Sequence, residues 1–275
     1  MTTAGGTQAR RNVPDLVVAA AVMAWIGVVL LLDRVALGAG AEPVRQLLLG
    51  VSTWAMLVLA LRPESATVRA QTCLVVALAT AVEYTFSPLL GAYEYRIGTV
   101  PLFVPPGHGL VYLAALTIGR SAPARRHARL LVAATVLVGG GWAGYGLLTP
   151  GRPDQLGAFW YLCLLGFLIW GRSRMLYVGA FVVVSYLELV GTALGTWAWA
   201  AVDPVLGVVG QGNPPSGAAG GYGWFDLYAI LLAPRVLVGW AALTAWSGGP
   251  RAPARSADGV GPGAGSVVGP VADQP

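Results

Sequence analysis

Glu83 and Glu188 each stand near the end of an otherwise apolar run. An ionisable group inside a membrane-spanning segment costs ~2.5–3.5 kcal/mol on insertion scales and is by default a functional feature. In dry surroundings such a carboxyl can keep its proton and serve as a general acid. The alternative is structural, with each acid paired to hydroxyls and fixing helix packing. Glu83 is flanked by Thr80 and Ser87, and Glu188 by Ser185 and Thr192 at the same offsets. Helical periodicity puts each set on one face, so these hydroxyls are expected to satisfy the acids. Asp226 and Arg235 are the other ionisable groups in apolar runs. They are separated by about two and a half helical turns, so they face opposite ways and do not neutralise one another.

Tyr93 and Tyr95 follow Glu83, and Trp197 and Trp199 follow Glu188, each pair spaced i, i+2. In extended chain each pair projects to one side. Such rings could form a belt at the lipid headgroups, or offer π-faces that hold a polyene or stabilise a carbocation. Pro105-Pro106-Gly107-His108 is expected to break helical geometry early in the fourth apolar run. His108 then lies in a wet loop, either as a proton shuttle or simply hydrogen-bonded. Asn213-Pro-Pro-Ser216 reads as a close-packed re-entrant loop without a phosphate-binding fingerprint.

The elements that must position these groups are helices in a bilayer. The chain of 275 residues is 56% hydrophobic and 11% charged, against about 25% charged in soluble domains. Eight apolar runs, roughly 16–32, 46–61, 70–88, 100–119, 130–149, 156–171, 175–195 and 224–246, predict about eight transmembrane helices. Continuous rather than alternating apolarity excludes a barrel. The first run, with Ala39-Gly40-Ala41 after it, resembles a signal peptide but is long for one, and a retained helix is expected.

All 17 basic residues are arginine. With eight spans, twelve of them (Arg10, Arg11, Arg62, Arg69, Arg120, Arg125, Arg126, Arg129, Arg172, Arg174, Arg251 and Arg255) share a face, and Arg34, Arg45, Arg96 and Arg152 lie opposite. That bias predicts a multi-pass protein of the plasma membrane with both termini cytoplasmic. The net charge of +5 is dispersed between apolar runs, which argues against nucleic-acid binding. Cys73 and Cys163 lie inside apolar runs and read as small buried side chains. With two cysteines and two histidines, no metal site and no cofactor are expected.

The sequence also repeats itself. Gly91-Ala-Tyr93-Glu-Tyr95 answers Gly195-Thr-Trp197-Ala-Trp199, and Gly107-His108-Gly109 answers Gly221-Tyr222-Gly223. The expected architecture is an all-α polytopic membrane protein of two parallel four-helix repeats, 14–122 and 123–246. Disordered ends, 1–13 and 247–275, flank them. Both acids then point toward one cavity between the halves.

At these residues the chain resembles the integral-membrane carotenoid hydratase family, which includes bisanhydrobacterioruberin hydratases. The first motif reads Glu83, Gly91-Ala-Tyr93-Glu-Tyr95 and Val100-Pro101-Leu-Phe-Val-Pro105; the second reads Glu188, Leu194-Gly195-Thr-Trp197-Ala-Trp199, Asn213 and Gly223-Trp224. The second acid is Glu where the family has Asp, the spacing from Asn213 to Gly223 is stretched, and His108 replaces an aromatic. The resemblance implies acid-catalysed hydration of an isoprenoid double bond, and the same parts would serve a cyclase or isomerase if water were excluded. Glu83 or Glu188 would protonate the alkene, the aromatics would stabilise the cation, and Asp226 or His108 would position water. Tyr93, Tyr95, Trp197, Trp199, Asn213, Trp224 and Arg235 are the candidate substrate-binding residues. The rival expectation is a non-enzymatic protein that binds or transports an amphiphile or protons through the same cavity. The expected partners are the bilayer and an apolar lipid; oligomeric state does not follow from the sequence.

Overall fold

A computed structural model describes residues 14–35 and 40–247. The expectations for residues 1–13, for Ala39 and for the tail after Ser247 lie outside the described residues, as do Arg10, Arg11, Arg251 and Arg255.

Each of the eight apolar runs lies on a helix. These are α1 (Asp15–Arg34), α2 (Glu42–Leu61), α3 (Ala66–Tyr84), α4 (Val104–Arg120), α6 (Ala128–Leu148), α7 (Gln155–Trp170), α8 (Arg174–Ala193) and α9 (Ala218–Ser247). A short α5 (Ala122–Arg126) carries part of the arginine-rich segment, and a π-helical turn, Thr85–Leu89, prolongs α3. Two three-residue strands, β1 (Tyr93–Tyr95) and β2 (Trp197–Trp199), stand among the helices of the described residues.

Among the described residues, six helices are long and apolar enough to cross a membrane: α1, α2, α3 with its π turn, α6, α8 and α9. The shortfall from eight lies in α7, at 16 residues, and α4, at 17. The length of α4 is set by its prolines. Pro105 and Pro106 fall in its first turn and start the helix instead of breaking it. A first-turn N–H has no intrahelical acceptor, so its absence from proline costs nothing there. At the other end α9 begins at Ala218, ahead of the expected 224. The prolines of Asn213-Pro-Pro-Ser216 precede it, with a cis peptide at Asn213–Pro214. Ser65, Ser121 and Asp154 cap α3, α5 and α7 by accepting a backbone N–H, as short polar side chains do at helix starts.

The described residues through Val238 form one compact unit. From Gly239 onward a second unit begins, whose described part continues α9. The core of the first unit is α4, in which every residue from His108 to Ala115 is buried. It packs chiefly on α8, and also on α1, α3 and α2. The contact with α8 depends on missing side chains: a Cβ on Gly179 would lie 2.2 Å from the Ala115 carbonyl oxygen, and one on Gly119 would lie 2.5 Å from that of Met175. Small residues at helix crossings let backbones approach where lipid gives no hydrophobic drive to association. Gly179→Leu is therefore expected to lower the thermal midpoint in detergent by about 5 °C, the result of ~1–3 kcal/mol of overpacking.

Ionic clusters mark the two ends of the first four helices. Arg120 at the close of α4 bonds Asp15 of α1 (2.8 Å) and Glu64 of the α2–α3 turn (2.7 and 3.0 Å). At the opposite end Arg96 bonds Asp33 (3.1 and 3.3 Å) and Glu42 (3.0 Å). Its hydrogen bonds to Asp33 raise the Arg96 pKa. Between these ends the outer surface is apolar, with Leu31, Leu48, Val51 and Val58 all exposed. Cys73 is exposed on this outer surface too, not buried as its apolar run suggested, and Cys163 is half-buried; both are free thiols. The position of Cys73 on the outer face of α3 accounts for the difference.

Candidate functional site

Two matching reversals build the site. After the π turn of α3 the chain turns at Gly91, with φ +70°, and enters β1; after α8 it turns at Gly195, also with φ +70°, and enters β2. A Cβ disfavours this left-handed conformation, which explains glycine at both places. Each reversal folds an aromatic pair back onto the acid of its own helix.

The strands pair antiparallel, Tyr93 opposite Trp199, Glu94 opposite Ala198 and Tyr95 opposite Trp197. Residues two apart on a strand share a face, so all four rings project from the same side of the ribbon. Tyr93 and Trp199 have centroids 4.6 Å apart, and Tyr95 and Trp197 6.1 Å. The pairs are not a headgroup belt, because Tyr93, Tyr95 and Trp197 are buried and their polar tips bind the acids.

The two acids are held differently. Oε2 of Glu83 accepts from the phenols of Tyr93 (2.8 Å) and Tyr95 (2.7 Å), while Oε1 lies 2.8 Å from Nε2 of His108. Oε2 of Glu188 accepts from the indoles of Trp197 (3.0 Å) and Trp199 (3.1 Å). Its Oε1 has no hydrogen-bond partner among the described residues. Burial raises the pKa of both tyrosines, and the charge of Glu83 adds to the effect, so they remain neutral donors.

The expected hydroxyl stripes do not perform this task. Thr80 donates to the Val76 carbonyl at 2.6 Å, and Thr192 to that of Glu188 at 2.7 Å. Helical threonine readily back-bonds in this way, which removes its donor from the acid. His108 also departs from expectation. It is buried in α4, stacked on Tyr222 at 5.2 Å and edge-on to Phe225 at 5.9 Å, with its Nδ1 unpartnered. It is a wall of the site, not part of a wet loop, because the prolines before it initiate the helix.

Glu83, Glu188, His108 and the four ribbon aromatics line one cavity of about 790 Å3. Its other walls are mostly apolar and come from α1, α2, α3, α4, α7, α8, α9 and the chain between β2 and α9, including Trp25, Trp160 and Trp224, with Thr53, Asp203 and Gln211 as polar members. This is the size and character of a site for a large apolar ligand with a few fixed polar groups. Gly191 makes room for the clasp on Glu188, since a Cβ there would lie 1.9 Å from the Trp197 ring. Gly191→Ala is expected to displace that ring and cost ~1–3 kcal/mol, read as a changed tryptophan band in near-ultraviolet circular dichroism and a lower thermal midpoint.

Three of the candidates stand outside the cavity wall. Asn213 is exposed, and its Oδ1 accepts from the backbone N–H of Trp199 (3.0 Å), so it holds β2 in place. Arg235 is exposed on α9 and reaches only the Leu231 carbonyl of its own helix at 3.4 Å; its position removes it from the substrate-binding set. Asp226 is buried one turn along α9 from Tyr222, and its Oδ2 has no partner among the described residues. No group of three or more His, Cys, Asp or Glu side chains is arranged to hold a metal among the described residues.

Sequence reasoning missed Asp154 and Arg152. The buried carboxylate of Asp154 accepts from the backbone N–H of Gly157 (2.9 Å), Gly212 (2.8 Å) and Ser216 (2.7 Å). Arg152 donates to the carbonyls of Trp199 (2.7 Å), Ala200 (3.2 Å) and Gln211 (2.8 Å). Together they fix β2 and the chain leading to α9. An aspartate just before an apolar helix was the available signal for the first; the second has none in the sequence. No protein-family model, curated protein or solved structure matches this chain.

Proposed function

We propose that the chain is a membrane-embedded enzyme that hydrates a double bond of an isoprenoid or carotenoid-like lipid. The observation that carries this reading is the pair of unequally held carboxyls in one apolar, aromatic-lined cavity. Glu83 accepts two phenols on Oε2 and faces His108 Nε2 through Oε1, whereas Glu188 accepts two indoles on Oε2 and has Oε1 free. Glu188 is accordingly the acid and Glu83 with His108 the base.

In the reaction, Oε1 of Glu188 gives its proton to the less substituted alkene carbon, and the π electrons form the new C–H bond. The tertiary cation left behind faces the rings of Tyr93, Trp197 and Trp199, whose quadrupoles stabilise positive charge. Water adds its oxygen to the cation and releases a proton to the His108–Glu83 pair. Return of that proton to Glu188 through water restores the starting state. Alkene and water have then become a tertiary alcohol without net change in the protein.

The same reading includes two parallel four-helix repeats and cytoplasmic termini at the plasma membrane. The matched glycine reversals and the two-fold register of the ribbon support the repeat, and the arginine bias supports the orientation. A second reading, carriage of an amphiphile or of protons, is favoured by Asp226, a buried carboxyl in α9 that hydration does not use.

The test is expression of the chain in cells that accumulate acyclic polyenes. Hydration predicts new products heavier than their precursors by one water per reacted end, dependent on the chain. Unchanged isoprenoids, together with proton or amphiphile flux in proteoliposomes, would instead establish the second reading.

A further inference from the structure

Between β2 and α9 the chain makes a compact excursion that neither the ribbon nor the acids require. Val202 and Gly210 pair as an isolated bridge at its base, and the N–H of Asp203 donates to the Val209 carbonyl at 2.7 Å. Inside the loop, Oδ1 of the buried Asp203 accepts from the N–H of Val205 (3.0 Å) and Leu206 (2.8 Å). The N–H of Leu156, in the first turn of α7, bonds the Gly210 carbonyl at 3.0 Å. The loop therefore has a definite shape and a fixed seat on the bundle.

Its tip has the wrong chemistry for water. Residues 204–209 read Pro-Val-Leu-Gly-Val-Val, without one polar side chain. Val205 is 61% exposed, Leu206 59% and Val208 83%. The buried Asp203 caps the loop's own amides through Oδ1 and also borders the cavity, so its charge is not offered to the outer surface. The inner sides of Val205 and Leu206 also line the cavity. Phe159 of α7 and Trp224 of α9 line the same cavity and are also exposed. The apolar outer surface of α7 and α9 thus continues across the loop into the cavity wall. Contiguous exposed apolar surface of this kind marks an interaction site, and its continuity with the lipid-facing helices says with what.

We propose that residues 202–210 form a lip that dips into the hydrocarbon edge of the adjacent lipid leaflet, and that apolar ligands pass over it from the bilayer into the cavity. The lip stands on the loop itself. The route rests on the reading above that the cavity takes an apolar lipid.

The experiment uses the full chain in phosphatidylcholine nanodiscs, with Cys73→Ala and Cys163→Ala and a spin label on Val208→Cys. Relaxation of the label by oxygen is expected to exceed its relaxation by a water-soluble nickel chelate. Preferential relaxation by the chelate would place the tip in water and overturn the lip; protection from both reagents would place it against a second protein copy and overturn it equally. Val208 does not line the cavity, so Val208→Asp tests the route with retinol as the probe, followed by quenching of tryptophan emission. Uptake from vesicles is expected to slow about tenfold, equivalent to ~1.4 kcal/mol, with uptake from detergent micelles unchanged. Equal effects from both sources, or none from either, would overturn the route. Failure of retinol to quench the parent chain at all would sink the lipid-cavity reading and the route with it, while the spin-label result still decides the lip.

Discussion

Glu188→Gln is expected to insert, fold and purify like the parent chain, and to lose hydration by two to four orders of magnitude, the usual contribution of a general acid. Glutamine has the volume of glutamate, and its carbonyl oxygen can accept the indole N–H groups of Trp197 and Trp199 that now bond Oε2. The clasp on β2 is thus retained, while the proton that the proposed mechanism draws from Oε1 is replaced by an amide N–H that does not transfer. The comparison with Glu83→Gln gives the result its meaning. There the amide must accept two phenols and also present a donor to Nε2 of His108, which can switch its tautomer to accept. On the proposed roles, Glu83→Gln removes the base and leaves the acid, so it is expected to impair capture of the cation by water. Isomerised or cyclised by-products should then accumulate, because a cation formed without an efficient nucleophile loses a proton elsewhere or is attacked by a second double bond. Equal activity of Glu188→Gln and the parent chain, measured by product formation in membranes, would remove Glu188 from the chemistry and the assignment of roles with it.

Much of this geometry was legible in the residues, and what was not has identifiable causes. Helices over the eight apolar runs follow from continuous apolarity, because in a bilayer the backbone must satisfy itself within each segment, but among the described residues only six are long and apolar enough to cross. The two acids and their aromatic pairs were recognisable by spacing, since i, i+2 rings on extended chain have one geometry open to them. What spacing could not say was which donors reach which carboxyl. Thr80 and Thr192 sit on the correct face, but each has a nearer acceptor in its own helix. The phenols and indoles reach the acids through a tertiary event, the reversals at Gly91 and Gly195. His108 was misplaced for a local reason, because proline in a helix interior is disruptive and proline in its first turn is not. Arg235 looked functional in the sequence because it interrupts an apolar run; on the helix it faces outward. Apart from Gly157, the backbone amides and carbonyls that Asp154 and Arg152 bind lie 47 to 62 residues away, and backbone groups carry no signature in the sequence.

Asp154→Ala is the substitution expected to damage the site most without touching the cavity. Its carboxylate is buried and serves three backbone donors from two segments, Gly157 at the start of α7 and Gly212 and Ser216 ahead of α9. Removing it strands three N–H groups, each with a desolvation cost of ~1–3 kcal/mol when buried unpaired. Relaxation will recover part of this by letting water in, so the expected result is local loosening. Hydrogen exchange of residues 199–217 should accelerate strongly while α4, packed among α1, α3 and α8, keeps its protection. The consequence for chemistry follows from what that segment holds. Arg152 and Asn213 tie β2 to it through Trp199, Gln211 and Gly212, and β2 carries the indoles that fix Glu188. Loss of the acid's orientation at a distance should lower hydration while sparing the grip of Tyr93, Tyr95 and His108 on Glu83. Asp154→Asn provides the finer measurement, because its amide can still accept from one side but presents N–H to Ser216 or Gly212 on the other. It should fall between the parent chain and alanine in both exchange and activity. Unchanged exchange in the alanine variant would mean that the loop is held by its apolar contacts alone, and that the site owes its geometry to the ribbon and not to this carboxylate.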